Sequence, residues 1–408
     1  MNAHVVPVNA RRQVTFRPAA LIAKALHGSL PVFIVLFVIS SCVKDDQTPE
    51  RDAEQTPMAM YLGNAQHTGA YSRPGPQKPG EMLWKLQLDG AVIASLAILG
   101  RTAYVGSYDT RLYAVDVVSG TVKWRFKAEK EISSTPVVVD KTVLFGNEEG
   151  ILYAVDAESG AEKWRFKTDG GIFGPPVVHE GTIFFGNRGG DVFALDMATR
   201  EERWRYRGGL SVTSSPAIAG KLVIFGRGSR ASPTSVVQAV DIKSGKTKWS
   251  FSANQPSPPS TAAVAEGSAF VAIGLDVYAI DVTDGKQKWK FSTGTLIAAS
   301  PTVANGTVFI GNLSGKVFAI DAKTGIEKWR AETNGHIYGT VAIAGPALYV
   351  GTDKGYLYSL DAVSGEELWK SEFDGQLDAA PFVGFGILFF GMSNGAVYAL
   401  SDFGQSDK

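Results

Sequence analysis

Short apolar stretches alternate with turn-forming clusters along most of the chain. Between positions 131 and 167 the β-branched, aromatic and aliphatic residues fall at 132–139, 142–145, 152–155 and 163–166. Asp140-Lys141, Gly146-Asn147-Glu148-Glu149-Gly150 and Asp156 to Gly160 separate them. Runs this short, bounded by Gly, Asn and Asp, read as four antiparallel strands joined by tight turns.

The arrangement recurs. The pattern D-x-x-[ST]-G-x-x-x-W occurs at 116–124, 156–164, 241–249, 321–329 and 361–369. Two looser copies, 196–204 and 281–289, carry Arg200 in the glycine slot and Asp284 in the Ser/Thr slot. The tryptophans Trp84, Trp124, Trp164, Trp204, Trp249, Trp289, Trp329 and Trp369 are spaced by 40, except for 45 between Trp204 and Trp249. A fixed period near forty residues, with four strands in each period, predicts an all-β propeller built of four-stranded antiparallel blades.

Each repeated residue has a physical task. The Asp accepts backbone N–H groups in an Asx-type turn, Ser or Thr does so more weakly, and Gly supplies positive φ. The Trp reaches from the outer strand to the next blade, where its N–H needs an acceptor. Burying about 200 Å² of indole at about 25 cal/mol/Å² gives at most roughly 5 kcal/mol per blade.

The two ends of the array are complementary. Trp84 has no Asp turn before it, and the last period, from Leu377, has three strands and no Trp. The N-terminal strand at 83–88 is therefore expected to complete the C-terminal blade. That makes eight blades in a closed ring with no exposed sheet edge.

The chain divides into 1–41, 42–80, the propeller at 81–403 and a tail at 404–408. Residues 1–41 carry four basic residues and no acid, and the remaining 36 basic and 40 acidic residues leave about −4. No basic patch points to nucleic acid. Arg11, Arg12, Arg17 and Lys24 precede an apolar core at 30–39, which is followed by Ser40-Ser41-Cys42. The core is too short for a permanent span and reads as an export signal. Its ending resembles a bacterial lipobox. Lipidation of Cys42, the only cysteine, would anchor the protein to a membrane without crossing it, and a lone cysteine excludes any intrachain disulfide.

Residues 42–80, rich in Pro, Gln, Asp and Glu, are expected to form a mostly flexible tether. Within it, Met60, Gly63, Asn64 and Gly69 form an M-x-x-G-N-x-x-x-x-G segment. Its expected role is docking along one face of the ring, with His67 a weaker candidate for metal binding.

The repeat resembles the tryptophan-docking motif of the quinoprotein-dehydrogenase-like propellers, which carry pyrroloquinoline-quinone (PQQ) repeats, and it covers residues 82–402. Compact blades together with a lipobox are most similar to the BamB-like lipoproteins of outer-membrane β-barrel assembly. There is no Trp-Asp dipeptide and no kelch double-glycine pattern. The resemblance also implies an enzymatic alternative. The dehydrogenases hold their quinone at the ring axis, between a tryptophan and a disulfide of adjacent cysteines and beside a calcium. The repeat uses every tryptophan here, and the disulfide cannot form.

Aligning the periods on Trp identifies candidate axis residues. Seven past each Trp stand Ala91, Glu131, Gly171, Ser211, Pro256, Leu296, His336 and Gln376. Nine past stand Ile93, Ser133, Phe173, Thr213, Pro258, Ala298, Tyr338 and Asp378. Glu131, His336, Tyr338, Gln376 and Asp378 are expected to gather at one mouth of the channel as a solvated polar rim, with a possible His336–Asp378 approach. His179 is expected at the surface. Blade four carries an insertion, Arg227-Gly228-Ser229-Arg230-Ala231-Ser232-Pro233, and its arginines are candidates for partner contact.

The expectation is a monomeric, cofactor-free, non-catalytic scaffold at the periplasmic face of the outer membrane, contacting a barrel-assembly subunit. A quinone-dependent oxidoreductase and an envelope lipoprotein binding a glycan or small ligand at the channel mouth are the alternatives.

Overall fold

The computed structural model describes residues 58–59, 61–71, 73–78 and 81–401. Eight sheets follow one another around a ring, seven of them joining four consecutive strands from the axis outward and the eighth joining the last three strands to the strand at 81–87. Blade two shows the plan, with Val137–Val139 innermost, then Thr142–Gly146, Ile151–Asp156 and Glu162–Lys167. Its innermost strand is shorter than the apolar run at 132–139. Where eight chains converge on the axis, residues 132–136 leave the ladder, and Ser133 and Thr135 among them line the central space.

The seam closes as the two chain ends predict. Glu81–Gln87 pairs antiparallel with Ala396–Ser401, setting Trp84 opposite Ala399 and Lys85 opposite Tyr398. Trp84 is 1% exposed and packs with Phe389 against Val105, Val115 and Val117 of blade one. Its indole N–H donates to the Val117 carbonyl at 2.9 Å.

The same donation repeats around the ring. Trp124, Trp204, Trp249, Trp289 and Trp329 reach the carbonyls of Ala157, Ile242, Val282, Ala322 and Ala362, each one residue past the repeated Asp of the next blade. Gly160, at φ 72°, lies flat on Trp124, and a Cβ there would stand 2.6 Å from the ring. The Asp156 carboxylate accepts the N–H groups of Glu158 and Ser159. Lys163, directly before Trp164, ties the turn down through Asp156 at 3.2 Å and the Lys141 carbonyl at 2.7 Å. This cation recurs as Lys123, Arg203, Lys248, Lys288 and Lys328. It is part of the motif, at a position that D-x-x-[ST]-G-x-x-x-W leaves open.

The segment expected to be a tether is docked from Met58 onward. Met58–Ala59 pairs with the inner strand of blade two. The chain then crosses the axis. The carbonyls of Ala65, Gln66, Thr68 and Gly69 accept the N–H groups of Ile218, Val264, Val303 and Ile343, on the inner strands of blades four to seven. Inner strands have one edge with no blade beside it, and this strap satisfies those donors. At the far side the Pro76 carbonyl accepts both the Trp369 N–H and the Tyr349 hydroxyl. It thus replaces the Asp turn that blade eight lacks.

His67 locks the strap, with both ring nitrogens already at backbone carbonyls rather than facing other ligand side chains. The ring is fully buried, with Nδ1 at 3.0 Å from the Tyr61 carbonyl and Nε2 at 2.8 Å from that of Pro216. Burial pushes its pKa below the ordinary histidine value, against the opposing pull of the two carbonyls. His179 is half-buried at the end of an inner strand. Cys42 lies outside the described residues.

Candidate functional site

Between each Trp and the next inner strand the chain turns over the upper face of the ring. The carbonyls seven past Trp accept an N–H from the turn linking the blade's second and third strands, as in Glu148 to Glu131, Asp353 to His336 and Ser393 to Gln376. The next residues, among them Ile132, Ile337 and Leu377, are buried between blades. The alternation then aims the ninth residue at the axis. All eight residues of that column line a central cavity of about 670 Å³.

This geometry divides the predicted rim. Tyr338 and Asp378 line the cavity, while Glu131, His336 and Gln376 are not among its lining residues. His336 does not approach Asp378. Its Nδ1 meets Asp353 Oδ2 at 2.6 Å, and its backbone N–H donates to Asp353 Oδ1 at 2.7 Å. Asp353 lies in a turn of the same blade, a pairing invisible to a column alignment because the two residues belong to different columns. Asp378 keeps one buried carboxylate oxygen without a partner among the described residues. Burial, and then the negative charge of Asp353, raise its pKa.

The blade-four insertion folds over the mouth. Arg227 ends a strand and is taken up inside the blade, donating to the Gly208 carbonyl and to Gln238 and lying over the Tyr206 ring. It is not a free contact residue, because strand alternation turns it back onto its own sheet. Arg230 is exposed and lines the cavity.

The floor comes from the strap and from hydroxyls. The Tyr61 hydroxyl lies 3.4 Å from Thr340 Oγ1, and its pKa is raised by burial. Ser300 and Ser95 donate their backbone N–H groups to the Thr340 and Thr135 hydroxyls. Tyr61 was overlooked as a cavity residue, although the M-x-x-G-N segment marked the stretch that carries it.

These residues do not fit a quinone held in the dehydrogenase manner. The lining contains no tryptophan and no cysteine, and Asp378 is its only carboxylate. The indoles that donate to neighbouring blades are committed to packing. Among the described residues no three His, Cys, Asp or Glu side chains converge as a metal site.

No match is found among curated protein sequences. Among solved structures, BamB from Moraxella catarrhalis superposes with TM-score 0.64 at 18% identity, covering 79% of this chain and 99% of its own. The computationally designed Ika8 protein gives 0.68 at 16%, covering 77% and 98%. Quinohemoprotein alcohol dehydrogenase from Comamonas testosteroni gives 0.72 at 16%, covering 88% and 82%. At such identities the likeness establishes the fold alone, which scaffolds and enzymes share. The profile described as "Outer membrane protein assembly factor BamB" matches residues 76–135, 119–232, 233–338 and 314–405. With nearly every blade matched, the chain belongs to this PQQ-repeat, BamB-like propeller family.

Proposed function

We propose that this protein is a non-catalytic scaffold of outer-membrane β-barrel assembly, held by lipid on Cys42 at the periplasmic face of the outer membrane. The observation that carries the reading is the axis itself. The position where a propeller enzyme would concentrate its chemistry holds mostly small, hydroxyl and proline side chains, with three aromatic rings, one exposed arginine and a single carboxylate. The protein partner is a barrel-assembly subunit, engaged by a single propeller through its loops.

Affinity purification of the full-length protein from membranes, followed by mass spectrometry, tests the proposal. Recovery of a barrel-assembly subunit, lost from the membrane fraction when Cys42→Ser releases the protein, is the expected result. Dye reduction dependent on added quinone and calcium, with no such subunit recovered, would sink it.

A further inference from the structure

Two charged side chains line the axial cavity, and they stand half a ring apart. Arg230 comes from blade four and Asp378 from the approach to blade eight. Neither has an ion-pair partner among the described residues. Asp378 also keeps an unpartnered buried oxygen. The crossing diagonal is aromatic, with Phe173 at the approach to blade three and Tyr338 at that to blade seven.

The surroundings extend this polarity. Asp353 adds negative charge beside Asp378. On the opposite side Arg188 lies over the Phe173 ring at 3.6 Å. The cavity is closed below by Tyr61 and open above, and its volume of about 670 Å³ is that of a small-molecule site. A ligand that satisfies every one of these groups carries a cation at one end, an anion at the other and an apolar body between them. A neutral sugar leaves both charges uncompensated, and a simple anion leaves the buried carboxylate unmet.

We propose that the axial cavity is a binding site for a small zwitterion whose two charges stand at opposite ends of an apolar body, of the short-peptide class. Its ammonium pairs with Asp378, its carboxylate takes a charge-assisted pair with Arg230, and its apolar side chain lies against Phe173 or Tyr338.

Calorimetric titration of the full-length protein with glycyl-phenylalanine and with alanyl-phenylalanyl-alanine, whose charges lie at opposite ends of the chain, tests this. Saturable binding of at least one probe is expected, with a Kd of about 1 mM or tighter. Asp378→Asn and Arg230→Gln should each weaken it about tenfold, the loss of one charge-assisted pair. N-acetylation of the probe should cost the wild type about the same factor and Asp378→Asn little further, because both changes remove the same contact. Arg230 is exposed, so its replacement leaves the fold intact even if Asp378→Asn perturbs it. Absence of saturable binding for both probes overturns the proposal, and so does binding that ignores both substitutions. Recovery of the assembly subunit, measured on Asp378→Asn, is expected to be unchanged, which keeps the ligand site and the scaffold role separately testable.

Discussion

The two faces of the ring obey different rules. On the lower face, blade after blade repeats an Asp, a positive-φ residue, a cation and an indole bonded to the next blade. On the upper face the column that points at the axis holds Ile93, Ser133, Phe173, Thr213, Pro258, Ala298, Tyr338 and Asp378, with no residue type used twice. Repetition marks the side that every blade needs in order to pack against its neighbour. Variety marks the side where one position can be specialised without disturbing the other blades. Their carboxylates show the same contrast. Turn aspartates such as Asp156 and Asp196 are held down at about 2 by N–H donors. Asp378 is pushed up by burial.

The largest test of this contrast lies on the packing side. Trp84→Ala should lower unfolding stability by about 3–5 kcal/mol, because it empties the seam and frees both chain ends. Trp164, only half-buried, should cost visibly less by the same denaturant titration. Gly160→Ala should cost about 2 kcal/mol, since alanine must adopt positive φ and press on Trp124. Arg200 occupies the equivalent slot at φ 67°, so Arg200→Gly should stabilise by about 1 kcal/mol.

Acid should act on the two faces in opposite directions. An aspartate whose folded pKa is depressed to about 2 stabilises the fold above its unfolded value near 4, and that stability is lost as pH falls toward about 2. The melting temperature should therefore drop across that window, and less steeply in Asp156→Asn. For Asp378 the sign reverses. Its raised pKa is a penalty at neutral pH that protonation removes. The smallest expected effect is therefore a gain of less than about 1 kcal/mol for Asp378→Asn at pH 7, limited by solvent screening and absent near pH 3.

The same division explains what the sequence disclosed. Blade number, strand order, the seam at Trp84 and the indole contacts were readable because one period, repeated, averages away local exceptions. The axial column at nine past Trp was readable for the same reason. What failed depended on which way a turn faces. His336 pairs with Asp353, outside its own column, Arg227 folds back onto Gln238, and Glu131 and Gln376 are not among the residues lining the cavity. The composition of residues 42–80 resembles a linker, yet the carbonyls of 65–69 find donors that only the assembled ring displays. Backbone acceptors leave no trace in residue type.

The strap also sets the direction in which this molecule is presented. Met58 meets the ring beside an inner strand, on the side that Tyr61 closes, so the open mouth of the cavity faces away from the side on which the chain enters the propeller.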